Sequence, residues 1–180
     1  MKKNILLIIG FLAPFFIQAQ IDAASATSDI PLDEEGHIRY KEVVKEPAGQ
    51  KELFKRCVKW INKEYKSPSS VTPTRDMVNG KIVIRHTFRL KNTLESGTAV
   101  DAGDVMYEMT IRFKDNRYRV EMTNFILKKT SRTHAERWLD KSDSMYNPEY
   151  IKQLDEFARK QIASLKEGMK PAKVYKEEDW

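Results

Sequence analysis

The stretch DVMYEMTIRFKDNRYRVEMTNFIL, residues 104–127, has two halves that mirror each other around Asp115 and Asn116. Apolar and polar side chains alternate through both halves. A period of two marks a half-buried strand, and Asp and Asn favour turns because their side chains bond the local backbone. The stretch therefore predicts an antiparallel hairpin. A two-residue turn fixes its register, with Phe113 opposite Tyr118, Ile111 opposite Val120, Met109 opposite Met122 and Val105 opposite Ile126 on one apolar face. Slipping by one residue would turn all of these into water. The other face carries Glu108, Thr110, Arg112, Arg119, Glu121 and Thr123, with Met106 and Phe125 at its far end. That register sets Arg112 against Arg119, a like-charged pair that costs from a few tenths of a kcal/mol up to ~1. Glu121, beside Arg119 and diagonal to Arg112, offsets part of this.

Other segments supply the partners of such a hairpin. IRYKEVVKE, residues 38–46, reads as a strand that ends before Pro47. In residues 50–66, Leu53, Phe54, Cys57, Trp60, Ile61 and Tyr65 recur at helical spacing. A short strand is expected in residues 71–78, limited to an edge or bend by Pro73. Asn79 and Gly80 form the dipeptide favoured by type I′ turns, ahead of a strand over residues 81–90. There Ile82, Ile84, His86, Phe88 and Leu90 face one way, and Lys81, Val83, Arg85, Thr87 and Arg89 the other. Residues 91–103 hold no sustained period and read as a long loop. Farther on, Asn147, Pro148 and Glu149 are an N-cap, an N1 proline and a first-turn acid. Tyr150, Ile151, Leu154, Phe157, Ala158, Ile162 and Leu165 follow at helical spacing up to Gly168, a candidate C′ residue.

The chain opens with Lys2 and Lys3, an uncharged apolar run over residues 5–17, and Gln18-Ala19-Gln20. This is the pattern of a secretory signal, and the run is shorter than the ~20 residues a membrane span needs. The expectation is an exported protein, periplasmic or extracellular, cleaved near Ala19, with Ala26 as a second choice. Cys57 is the sole cysteine, so neither a lipoprotein cysteine at the cleavage site nor an internal disulfide is expected. Residues 1–19 thus read as a signal peptide and 20–29 as a flexible leader. Residues 30–128 read as one α+β domain, and 129–180 as a linker, an amphipathic helix and a charged tail. The formal charge is +6, or +4 without Lys2 and Lys3. For an exported chain that is mild enough that nucleic acid is not an expected partner.

The segments IPLDEEGHIRYKEVV, ELFKRCVKWI and FKDNRYRVEMTNF resemble those of a family of secreted or envelope proteins from Bacteroidetes, a domain of unknown function with a TBP-like fold. The resemblance covers residues 30–127. The residues themselves read in the order strand, helix, strands, helix, and the resemblance implies a two-layer α+β architecture: a curved antiparallel β-sheet with helices packed on one face. It brings no activity and no functional residues.

No glycine-rich phosphate loop, HExxH, paired-cysteine spacing or GxSxG elbow occurs. Cys57 lies on a buried helix stripe, whereas a nucleophilic thiol needs exposure and a cationic neighbour. His86 sits among apolar residues, and His37 and His134 fall in loops. Asp33, Glu34 and Glu35 read as solvated carboxylates. The expectation is a protein without catalytic residues, bound metal or cofactor, acting as a binding or accessory module of the cell envelope. Its candidate surface is Arg85, Arg89, Arg112 and Arg119, interleaved with Thr87, Thr110 and Thr123 on a shallow sheet face. The partner would be anionic: an acidic envelope protein, a glycan or a lipid head group. The alternative is a carrier holding a small hydrophobic ligand between helices and sheet, lined by Met109, Met122, Phe113 and Tyr118; methionine suits irregular apolar cavities.

Overall fold

The computed structural model describes residues 30–172. The expected signal peptide, the leader and most of the charged tail lie outside the described residues. Six strands form one antiparallel sheet: β1 (Tyr40–Lys45), β2 (Thr74–Asp76), β3 (Lys81–Thr93), β4 (Ala99–Lys114), β5 (Arg117–Lys128) and β6 (Arg132–His134). The spatial order is β1-β5-β4-β3-β2, with β6 also beside β5. Helices α1 (Gln50–Glu64), α2 (Pro68–Val71) and α3 (Pro148–Gly168) complete the fold. The two long helices pack side by side on one face of the sheet, which gives the open curved sheet and two layers implied by the sequence. Among the described residues, no helix is long and apolar enough to cross a membrane.

Alternation along β3, β4 and β5 decides which face the helices cover. Ile82, Ile84, Met109, Ile111, Phe113, Tyr118, Val120 and Met122 are all buried beneath them. Phe54 of α1 meets Phe113 edge-on at 5.6 Å, and Phe157 of α3 stacks on Phe88 at 4.2 Å. Fully burying such a side chain contributes roughly 1.5–3 kcal/mol, far more than any exposed charge pair on the opposite face.

The hairpin turn also organises the helix layer. Gly49 precedes α1 without a side-chain cap. Instead, the Asp115 carboxylate accepts the Gln50 N–H at 2.8 Å, and the Asn116 N–H donates to the Ala48 carbonyl at 2.8 Å. A carboxylate at a helix N-terminus satisfies an orphan donor and favours the helix dipole. Gly80 seals the same end: a Cβ there would lie 2.8 Å from the Phe113 carbonyl oxygen.

Several elements differ from the sequence reading. Residues 91–103 are largely strand, because β3 runs on to Thr93 and β4 starts at Ala99, past a register shift between Leu90 and Lys91. Along this extension Ala102 alone is buried, so no apolar period announces it. Val105 pairs with Leu127 rather than Ile126, since Asn124 and Phe125 together oppose Tyr107. Asn124 takes a left-handed backbone at φ 57°, a bulge that rotates Phe125 into the core against Tyr40. Ile126 becomes the open-face partner of Met106.

The strand expected in residues 71–78 shrinks to β2, with Val71 closing the α2 turn. Asn79 and Gly80 do not form a two-residue turn: Asp76 pairs with Lys81, and the Asp76 carboxylate holds Asn79 inside a longer connection. Past Lys129, the expected linker holds β6 and a 3₁₀ turn, Ala135–Trp138, whose Trp138 is fully buried. Residues 129–172 thus share the core of residues 30–128.

Gly168 is the last residue of α3 rather than a left-handed C′ residue. Its role is contact, since a Cβ at 168 would lie 2.5 Å from Cδ1 of Trp60. Overpacking costs ~1–3 kcal/mol, and alanine recovers up to ~1 of this through helix propensity. Gly168→Ala is expected to destabilise the fold by about 1–2 kcal/mol, read from the denaturant midpoint at unchanged m-value.

Candidate functional site

The face of the sheet away from the helices has two electrostatically different ends. At the end far from the Asp115 turn, cations and carboxylates face one another across strands. Arg85 Nε donates to Glu108 Oε2 at 2.8 Å. Arg89 lies 3.1 Å from both Asp101 and Asp104, whose hydrogen bond and charge raise its pKa. Both arginines are therefore internally neutralised.

The turn end differs. Lys81 of β3, Arg112 of β4 and Arg119 of β5 are successive cross-strand neighbours. One row on, Lys114 of β4, Arg117 of β5 and Lys45 of β1 are successive neighbours as well. Strand alternation places all of these side chains on the open face. Arg119 reaches Glu121 at 3.3 Å, and that carboxylate also receives Arg39 at 3.8 Å and Lys41 at 4.0 Å. Among the described residues, Arg112, Lys114, Arg117 and Lys45 have no hydrogen-bonding or ion-pairing side-chain partner. Arg112, Lys114, Arg117 and Arg119 line a shallow depression of about 440 Å3 together with Val43 and Tyr118. Val43, at the β1 edge of this depression, is 57% exposed.

Of the four arginines singled out from sequence, Arg112 and Arg119 therefore stand together. Arg85 and Arg89 are remote from them and compensated. Sequence reading put Lys81 on this face without making it a candidate, and missed Lys45, Lys114 and Arg117, although carrying the alternation to the strand ends places them on the same face.

The other candidates are core. Met109 and Met122 are fully buried, Phe113 is 2% exposed and Tyr118 is 1% exposed. All four belong to one packed cluster. Burial, with Glu46 and Glu42 nearby, raises the Tyr118 hydroxyl pKa far above its ordinary value. Cys57 is fully buried, and burial pushes its thiol strongly up. Among the described residues, no group of three or more His, Cys, Asp or Glu side chains is placed to hold a metal ion. Asp33 instead closes a local turn, its carboxylate accepting the Glu35 and His37 N–H groups.

Residues 40–128 match the family described as a domain of unknown function (DUF4468) with TBP-like fold. The chain carries a domain of this family. A DUF4468 family protein from Bacteroides ovatus is similar in structure, with a TM-score of 0.65 at 13% identity over 83% of this chain and 95% of that one. A TBP-like protein from Parabacteroides distasonis has a TM-score of 0.63 at 16% identity, over 78% of this chain and 96% of that one. Both shares exceed the half of the chain that residues 40–128 make up, so the common fold takes in residues outside the DUF4468 segment. Identities this low establish fold alone. No curated protein matches the chain.

His86 stands at the rim of the helix layer, with ring centroids 5.3 Å from Tyr65 and 6.4 Å from Tyr107. The Tyr65 and Tyr107 hydroxyls meet at 3.1 Å, and Gln161 Nε2 donates to Tyr65 at 2.9 Å. Burial lowers the His86 pKa below its ordinary 6.5, against the opposing charge of Asp104. The folded state therefore binds this proton more weakly than the unfolded chain, so stability rises with pH through the window just below 6.5. Thermal melts are expected to give a midpoint that falls on acidification from pH 7.5 to 5.5, with a smaller fall in His86→Gln. Equal slopes in the two proteins count against this assignment. Cys57 is expected to react with a thiol reagent only after denaturation; prompt labelling of the native protein contradicts its burial.

Proposed function

We propose that this protein is an exported, non-catalytic binding or accessory module of the cell envelope, and that it docks an anionic partner on the open sheet face at the Asp115 end. The observation that carries this reading is the pair of adjacent all-cation rows, Lys81-Arg112-Arg119 and Lys114-Arg117-Lys45. Each directly opposed like-charged pair costs from a few tenths of a kcal/mol up to ~1. Among the described residues of these rows, Arg119 and Lys81 alone have an acidic residue directly beside them on this face, Glu121 and Asp76. An anionic ligand relieves the repulsion and gains charge-assisted hydrogen bonds from two arginine forks. The apolar Val43 at the β1 edge of the depression adds contact area. Export rests on the basic, apolar and small-residue pattern of residues 1–20.

The test is binding of the mature protein to poly-glutamate, a sulfated glycan and anionic vesicles, each against a neutral counterpart, over a range of salt. Expected is selective anion binding that weakens with ionic strength and falls at least about tenfold, or ~1.4 kcal/mol, in the Arg112→Glu/Arg117→Glu variant. Arg85→Gln, whose charge Glu108 already neutralises, is expected to bind like wild type. Binding that is equal in wild type and the double variant, or absent for every anion, overturns the reading.

A further inference from the structure

The cationic rows end at β1, beside whose outer edge no strand lies among the described residues; just before it the Arg39 N–H donates to the Pro31 carbonyl at 2.9 Å. The Glu46 N–H donates to the Asn116 carbonyl at 3.1 Å, continuing the β1–β5 ladder. In that ladder Val44 faces Tyr118, Glu42 faces Val120 and Tyr40 faces Met122. Residues of an antiparallel strand alternate in the side to which they turn both N–H and C=O. Tyr40, Glu42 and Val44 therefore bond β5, and Lys41, Val43 and Lys45 turn their backbone groups outward. Among the described residues, no partner takes up those outward groups.

The side chains of these same residues lie on the open face, next to Arg117 and Arg119. Open backbone, exposed Val43 and the cationic depression thus meet at one corner of the sheet. A bare edge is a template for another strand, and the side chains here select which one. Antiparallel pairing of β1 with β1 of a second copy about Val43 sets Lys41 against Lys45. Like charges oppose that self-pairing, whereas carboxylates opposite Lys41 and Lys45, with an apolar residue opposite Val43, complement the edge.

Building on the anion-docking reading above, we propose that the partner is an extended acidic protein segment. It adds to β1 as an antiparallel strand, in the pattern acid, any residue, apolar, any residue, acid. Main-chain hydrogen bonds to Lys41, Val43 and Lys45 supply its alignment, and Arg117 and Arg119 lie within the same corner to meet its carboxylates.

The experiment uses the mature protein and an end-labelled peptide, Glu-Thr-Val-Thr-Glu flanked by glycines, with binding followed by fluorescence anisotropy. In the proposed register the Val N–H points at β1 and the Thr N–H groups point away. N-methylation of the Val is expected to weaken binding at least about tenfold, whereas N-methylation of one Thr changes it less than about threefold. Val43→Pro removes an outward N–H and leaves the β5 ladder intact, so it is expected to weaken peptide binding at least about tenfold. If that variant does not fold, the two methylated peptides on wild type still decide. Equal affinity for both methylated peptides overturns strand addition while leaving the cationic rows as a docking site. Failure of the unmodified peptide at about 1 mM while poly-glutamate binds overturns it too. Failure of both ligands removes this inference together with the reading beneath it.

Discussion

Pairing of β4 with β5 around Asp115 and Asn116 is the constraint on which the rest of the molecule depends. It builds the apolar surface of Met109, Ile111, Phe113, Tyr118, Val120 and Met122 on which α1 and α3 lie. Its turn supplies the carboxylate that takes up the first N–H of α1, so helix start and hairpin end are one structure. The same pairing forces Lys114 against Arg117 and Arg112 against Arg119. Magnitudes decide why this persists. Burial of each large apolar side chain contributes roughly 1.5–3 kcal/mol, whereas an opposed like-charged pair costs ~1 at most. The core face sets the register, and the open face must accept the charges that result.

This asymmetry separates the two ends of the sheet. At the far end, the cross-strand partners are Arg85 with Glu108 and Arg89 with Asp104, and the surface compensates itself. At the turn end the strands bring cations beside cations, next to the unpaired edge of β1. Arginine-rich composition alone does not make an anion site; what matters is whether a carboxylate occupies the neighbouring strand at the same level.

Much of the fold was legible in the sequence because its signals are local. Strict alternation revealed β3, β4 and β5. The α1 stripe and the cap of α3 at Asn147, whose side chain accepts the Tyr150 N–H, were readable for the same reason. The failures have a common cause. Asn124 looks like any polar strand residue until its left-handed backbone rotates Phe125 into the core. Gly168 resembles a helix stop until Trp60 is packed against it. The β3–β4 extension, in which Ala102 alone is buried, has no apolar period to read. Each depends on a residue distant in sequence or on a backbone state that leaves no mark on composition.

The sequence by itself determined which side of each long strand is apolar, and hence a two-layer α+β domain, because a side chain's face follows from position along its own strand. It also held every cation of the open face. Tertiary structure alone decided which of those cations remain uncompensated, because that depends on the residue across the ladder, set by register and by strand order. Arg85 and Arg112 lie on the same face of neighbouring strands, yet one meets Glu108 and the other meets Lys81 and Arg119. The difference between a neutral surface and a docking site is that choice of neighbour.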